Sequence, residues 1–403
     1  MLRSLLVSAP GLRLAATRVV ANPAKVTRLL STTAARFTGK GDDEMFSFTL
    51  PEYSFEAVNV ETPSLEVQLS RKQLLSIYEQ MTEVRRLEMS ADGLYKAKMI
   101  RGFCHLCTGQ EAVPVGIENG ITKNDSVITA YRCHGFTHMR GGTVTSIIAE
   151  LMGRKDGISH GMGGSMHMFA HNFYGGNGIV GAQVPIGAGI ALTHKYLKED
   201  AVCFSLYGDG AANQGQVFEA FNMAKLWNLP CIFVCENNKY GMGTSSRRSS
   251  ANTEYFKRGD YIPGIKVHGM DAMAVLQATR FARKWALDGN GPLILEMATY
   301  RYGGHSMSDP GTTYRSREEV QHMRSTDDPI TGLKHNLIQN NVIDEAGLKK
   351  IDKEARARVD KAVQEAKRSP EPPVGDLWTN IYVKGTEPPF LRGRESGEVH
   401  HFQ

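Results

Sequence analysis

No apolar run in this 403-residue chain approaches the ~20 residues that a membrane-crossing helix needs, so membrane insertion is not expected. Cysteine is scarce. Cys104 and Cys107 form one C-x-x-C, and no second pair stands at zinc spacing. That excludes a secreted disulfide framework. Cys231 and Cys235 lie in an apolar run, where a free thiol behaves as a small hydrophobe. All six cysteines are expected to be reduced and mostly buried. Acidic residues are missing from positions 1–36, which hold Arg3, Arg13, Arg18, Lys25, Arg28 and Arg36. Without those six the formal charge drops from +5 to −1, so the rest of the chain is near neutral and nucleic acid is not an expected partner. A segment rich in Ser, Thr, Ala and Leu with spaced arginines has the composition of a mitochondrial transit peptide. The mitochondrial matrix is the expected compartment, with cleavage near "STTAARF"; a plain basic tail is the alternative.

What is present reads as a large α/β core. Residues 37–65 look extended and irregular. Residues 70–100 read as a helix, with Ser70 as cap and Leu74, Ile77, Met81 and Val84 at helical spacing. A strand is expected at 126–135, a helix at 143–153, and a long glycine-rich loop at 155–183. Residues 184–199 form a helix with Pro185 in its first turn. Its small residues, Gly187, Ala188, Gly189 and Ala191, permit close backbone approach. Beyond 200 the pattern alternates: strand 201–207, helix 214–227, strand 230–237, helix 271–287, strand 291–300. Such alternation implies a doubly wound, mostly parallel sheet with helices on both faces. The expected organisation is a leader at 1–36, an arm at 37–65, a cofactor-binding α/β domain at 66–340, and a C-terminal helix with a proline-rich arm at 341–403.

The stretch "LYGDGAANQG" places Asp209 between two glycines at the end of a strand. A turn alone would account for it. The next strand ends in "ENNKYG", and 26 residues separate Gly210 from Asn237, room for one helix and one strand. Asp209 and Asn238 should therefore end neighbouring strands on one edge of the sheet, where doubly wound folds bind ligands. Together they offer a carboxylate and an amide oxygen, the hard donors that Mg²⁺ takes. Gly210 lets a phosphate approach the backbone, and the following helix offers its N-terminal amides. "GNGIVG", Gly176 to Gly181, matches a dinucleotide fingerprint, but no clean strand pattern precedes it.

GDG, a 26-residue gap and NN resemble the diphosphate-binding motif of thiamine diphosphate enzymes. The segments "RGFCHLCTGQEA", "AYRCHG", "GMGGSMHM", "GGNGIVGAQVPIGAG" and "GHSMSDPGTTYR" extend the likeness from about residue 45 to 390. They resemble the alpha subunits of the pyruvate-decarboxylating 2-oxo acid dehydrogenases. The resemblance implies thiamine diphosphate and Mg²⁺ as cofactors, and pyruvate decarboxylation with acetyl transfer to a lipoyl group. Implied metal ligands are Asp209, Asn238 and the backbone carbonyl of Tyr240. Implied cofactor contacts are Tyr131, Arg132, Ala170, Gly178, Val180, Asp209, Gly210, Ala211, Asn238 and His305. His105 and His305 are the implied catalytic histidines, and Arg132 could fork onto phosphate oxygens.

The family works with a beta subunit, two alpha and two beta chains, and with a lipoyl acyltransferase component. The 155–183 loop and the 185–193 helix are where subunit packing is expected. A regulatory kinase and phosphatase are also implied, with Ser306, Thr313 and Ser245 as phosphorylation sites. Thr313 stands where the family usually has serine, and Gly303 where it has histidine. Rival readings are a branched-chain 2-oxo acid or acetoin enzyme, a catalytically dead scaffold, and a nicotinamide dehydrogenase.

Overall fold

The computed structural model describes residues 41–395 and 397–402. Contacts divide the chain into Met1–Asp42 and Asp43–Gln403, and every element below belongs to the second unit. The leader expected at 1–36 lies outside the described residues. A seven-stranded sheet forms the centre, in the order Phe55–Val58, Gly264–His268, Leu293–Ala298, Cys231–Asn237, Cys203–Gly208, Ser126–Ala130 and Phe173–Asn177. Six strands run parallel; Phe55–Val58 pairs antiparallel at one edge. The expected doubly wound α/β class is the observed one. Strands such as Cys231–Cys235 are buried on both faces, as parallel strands covered by helices must be.

Local chemistry accounts for the flanking helices. Ser70 caps the helix Arg71–Lys96 by accepting from the Gln73 N–H, and the Gln73 side chain answers at the Ser70 N–H. That helix buries Leu74, Ile77, Met81 and Val84, the spacing read from sequence. The charged helix Glu345–Arg368 packs on it through Leu348, Ile351, Ala355 and Val359. At the seam, Tyr78 donates to Asp352 and Arg358 pairs with Glu79 and Glu83. In the helix Gln183–Leu197, a Cβ on Gly187 would sit 2.5 Å from the Ser205 side chain, so glycine lets the helix lie directly on the sheet. The opposite side exposes Ile186, Leu192 and Tyr196.

Three expectations need correction. The region 37–65 is not irregular throughout: Met45–Thr49 pairs with Glu66–Ser70, and Phe55–Val58 joins the main sheet. Their partners lie far away in sequence, so no local turn announces them. The segment 155–183 is not one long loop, because Phe173–Asn177 forms the far edge strand of the sheet. Two consecutive glycines hid it, since glycine is depleted in strands. That strand also stands directly before Gly178, so the objection raised against "GNGIVG" fails. Finally, the strand expected at 126–135 ends at Ala130 and a short helix, His134–Met139, follows; a strand the sequence reading did not assign, Gly264–His268, lies between 237 and 271.

The rest of the glycine-rich segment is held by one acid. Buried Glu150 accepts four backbone N–H groups, from Ser159, Gly161, Gly163 and Gly164, at 2.7–3.1 Å. A carboxylate that satisfies four amides replaces the hydrogen-bonding partner that a regular element would supply. Glu150→Ala should lower stability by about 3 kcal/mol, because each charge-assisted bond is worth roughly 1.5–3 kcal/mol and neighbouring bonds are not additive. Limited proteolysis should show new cleavage between residues 155 and 168; an unchanged digest and melting temperature would remove Glu150 from this role.

Candidate functional site

The chain crosses from Ser126–Ala130 outward to Phe173–Asn177, then returns to the other side with Cys203–Gly208. This reversal leaves a crevice at the carboxyl ends of the strands. A cavity of about 260 Å³ fills it, lined by residues from the ends of the parallel strands: Tyr131 and Arg132, Asp209 to Ala211, Glu236 and Asn238, and Arg301 and His305, with Val180 on the loop after Phe173–Asn177. Gly208 pairs with Glu236 across the two central strands, so Asp209 and Asn238 sit side by side just beyond that pair. Of the residues expected from sequence, this cavity gathers Tyr131, Arg132, Val180, Asp209, Gly210, Ala211, Asn238, Tyr240 and His305. Gly178 lies against the His167 ring, Ala170 sits in a bridge with Phe173, and His105 packs behind Tyr131 and His305; none of the three lines the cavity.

Asp209 is almost fully buried, and its Oδ2 has no hydrogen-bond partner. Burial raises its pKa from the ordinary 3.8 to about 6, opposed by backbone hydrogen bonding and Arg301. An orphaned carboxylate oxygen in a cavity asks for a cation. Asn238 and the Tyr240 carbonyl supply further oxygens beside it. Among the described residues no three His, Cys, Asp or Glu side chains form a metal cage, so a cation here would use one carboxylate, an amide oxygen, a backbone oxygen and ligand or water. Gly210 and Gly241 nearly touch: a Cβ on Gly241 would meet the Gly210 Cα at 3.2 Å, so both must be small for the loops to close. The helix after the motif begins only at Gly215. A 3-10 turn, Ala211–Asn213, intervenes, so the backbone nearest Asp209 belongs to that turn.

The other wall is aromatic and basic. The Tyr131 hydroxyl and His305 Nε2 are 2.9 Å apart, and the His105 ring packs 4.5 Å from Tyr131 and edge-on to His305 at 5.2 Å. Burial, then Arg132, depresses both imidazoles, His105 to about 3 and His305 to about 4, so both are neutral at pH 7. His105 Nδ1 is buried without a partner. Arg132 does not hold its fork free: Nη1 donates to the Leu106 carbonyl and Nη2 to the His305 carbonyl at 2.9 Å. It ties two loops together, and any anion contact uses its remaining N–H bonds. Behind His105, buried Glu88 accepts from the Cys107 N–H at 2.9 Å and pairs with His134, whose Nε2 is 2.9 Å from Ser165 Oγ.

The loop that carries His305 is closed by Asp309, which accepts from the His305 N–H at 2.7 Å, the Gly311 N–H at 2.8 Å and the Tyr314 hydroxyl. Ser306 Oγ lies 2.9 Å from Ser308 Oγ, partly exposed; Thr313 is exposed and Ser245 partly so. Sequence reasoning missed Gln110, Glu236 and Arg301. Burial lifts Glu236 to about 7. The stretches "TGQEA", "ENN" and "TYRYGG" carried the only signal, adjacency to motif residues.

Asp209 links this geometry to pH. Its folded pKa lies above the unfolded value, so the stability it contributes is present below pH ~4 and lost as pH rises through about 6. In cation-free protein Asp209→Asn should therefore raise stability at pH 7 by on the order of 2 kcal/mol, and the gain should shrink toward pH 5. Calorimetric melts at both pH values check this; a variant that is less stable at pH 7 would contradict the burial penalty.

The sequence matches the family described as "Dehydrogenase E1 component" over residues 79–375. It is 60% identical over 379 residues to the mitochondrial pyruvate dehydrogenase E1 component subunit alpha of Kluyveromyces lactis, covering 94% of this chain and 92% of that one. The corresponding Saccharomyces cerevisiae protein is 64% identical over 347 residues, 86% of this chain and 83% of its own. The somatic human form is 58% identical over 334 residues, 83% and 85% of the two chains. With a crevice built at the switch point of a parallel sheet and this extent of identity, the chain belongs to the dehydrogenase E1 component family.

Proposed function

We propose that this chain is the alpha subunit of the decarboxylating component of a mitochondrial pyruvate dehydrogenase complex. It acts with a beta subunit on pyruvate and passes the acetyl group to a lipoyl acceptor. One observation carries the reading to these residues: Asp209 Oδ2 stands unpartnered in a cavity beside two further oxygen donors. Thiamine diphosphate, when bound, supplies the nucleophilic carbon and electron sink that decarboxylation needs. Asp209, Asn238 and the Tyr240 carbonyl would hold Mg²⁺ against the diphosphate, and the backbone at Gly210 and Ala211 would border it. Tyr131, Arg132 and His305 would face the diphosphate. Val180 would bound the ring system; Gly178, which the resemblance implied beside it, stands off the cavity wall.

The neutral histidines fit roles in proton handling. The Tyr131 hydroxyl holds the His305 ring through Nε2 at the cavity wall, and His105, packed behind Tyr131 and His305, keeps a buried Nδ1 without a protein partner. Neither carries charge at pH 7, so they donate or accept without repelling a metal. Water exclusion falls to a wall this chain does not complete. Ile179, Val180 and Met242 are exposed beside the cavity, and apolar side chains at a site's rim mark a surface that a partner covers. The beta subunit is that partner in an assembly of two alpha and two beta chains, and the lipoyl acyltransferase component supplies the acceptor. The working compartment is the matrix.

Control acts on the loop that Asp309 closes, through a kinase and a phosphatase. A phosphate on Ser306 adds about −1.5 to −2 charges three residues from Asp309. Repulsion would unlatch Asp309 from the His305 and Gly311 amides. Ser245 and Thr313 are further candidate positions. In the assembled enzyme Ser306→Glu should cut acetyl transfer at least about tenfold while leaving subunit association intact; equal turnover would end this account of the switch.

The activity itself is tested by release of labelled carbon dioxide from pyruvate by the co-expressed alpha and beta chains. Release should require thiamine diphosphate and Mg²⁺, and a branched-chain 2-oxo acid should be a poor substrate. Release from the branched acid alone would reassign the enzyme to that substrate. No release from either would favour a scaffolding subunit.

A further inference from the structure

The Asn238 amide is gripped at both ends. Its Nδ2 donates to Gln110 Oε1 at 2.9 Å, and its Oδ1 accepts from Arg301 Nη1 at 2.9 Å. The same Nη1 lies 3.3 Å from the Tyr240 carbonyl. Gln110 and Arg301 are each about 1% exposed, so neither contact is made in competition with solvent. Arg301 is in turn fixed by its Nε, which donates to the Gly304 carbonyl at 3.0 Å. An amide side chain can flip and present nitrogen where oxygen is needed. Here an acceptor on one side and a donor on the other permit a single orientation. Each carbonyl-type oxygen has two lone pairs, so Arg301 uses one on Asn238 and one on Tyr240 and leaves the other of each for a cation.

We infer that Arg301 is a positioning residue for the cation site, fixing the Asn238 amide and the Tyr240 carbonyl so that their oxygens face the cavity, with Gln110 as the second half of the lock. The inference rests on the cation site proposed above. A guanidinium beside a divalent cation repels it, and two more, Arg132 and Arg315, stand close enough to depress Arg301 further once burial has done so. Asp209 lines the same cavity, and a bound diphosphate would add the opposing charge. What Arg301 gives is orientation: two of the three protein oxygens are set before the cation arrives, and preorganised donors lose less freedom on binding.

The test uses the assembled alpha–beta protein and reads the Mg²⁺ concentration that half-saturates the thermal shift given by thiamine diphosphate. Arg301→Met should raise that concentration on the order of tenfold, as expected when a charge-assisted hydrogen bond is lost. Arg301→Lys should restore part of it, and high Mg²⁺ should recover the full thermal shift in both. Gln110→Met should move the same midpoint in the same direction. Should Arg301→Met fail to assemble, the Gln110→Met and Arg301→Lys midpoints decide. An unchanged midpoint in these variants, or a defect that no Mg²⁺ concentration repairs, assigns Arg301 to loop structure alone. A lower midpoint in Arg301→Met shows it to be a competitor of the cation and also overturns the inference. If the unaltered protein shows no Mg²⁺-dependent shift, the cation site itself falls, an outcome separate from a failure of the lock.

Discussion

The parallel register of two strands governs the site. Gly208 faces Glu236 across Cys203–Gly208 and Cys231–Asn237, and Asp209 and Asn238 follow just beyond that pair to line one cavity at the edge of the sheet. A slip of one residue would turn every side chain of one strand to the other face. That register is fixed by apolar packing on both sides: Phe204, Leu206, Phe233 and Val234 are fully buried. The energy that holds Asp209 in an unfavourable place is thus spent in the core, away from the site. Hydrophobic burial at roughly 25 cal/mol per Å² easily exceeds the cost of one desolvated carboxylate.

The loops above the sheet depend on that edge in turn. Arg132 reaches the carbonyls of Leu106 and His305, so the segment with His105 and the segment with His305 are bound through one side chain. Asp309 and Arg315 close the second segment on itself, and Arg315 donates to the Arg301 and Gly303 carbonyls. Positive charge therefore collects where the strands end. In such a field an anionic ligand is both held and steered, while buried histidines lose protons. His105 and His305 are neutral through burial first and through Arg132 second. The same arginine thus joins the loops and adds to the burial that keeps their imidazoles neutral.

Much of this was legible in the sequence. The alternation beyond residue 200 yielded the parallel sheet, and the 26-residue spacing placed Asp209 beside Asn238, because local period and chain length alone decide both. Strands whose partners are remote were not legible: Met45–Thr49 and Phe55–Val58 gain their pairing only in the folded chain. Phe173–Asn177 was obscured by its glycines. At the site, Gln110 and Arg301 escaped notice because 128 and 63 positions separate them from Asn238, the residue they grip. Arg132 was read as a phosphate fork from its residue type, whereas its carbonyl partners are set by tertiary contacts. Whole-family likeness reached farther than composition, yet it named candidate ligands and not the buried side chains that hydrogen-bond to them.

The helix Gln183–Leu197 presses Gly187 into the sheet and turns Ile186, Leu192 and Tyr196 outward. Close by, Ile179 and Val180 are exposed as well. If the proposed beta subunit covers this greasy stripe, a newly made copy without that companion would carry it bare. Synthesis of the two subunits would then need to be matched in amount and time. An excess of this chain would be a client for chaperones and proteases, and its abundance in the cell would be set by the supply of the other polypeptide.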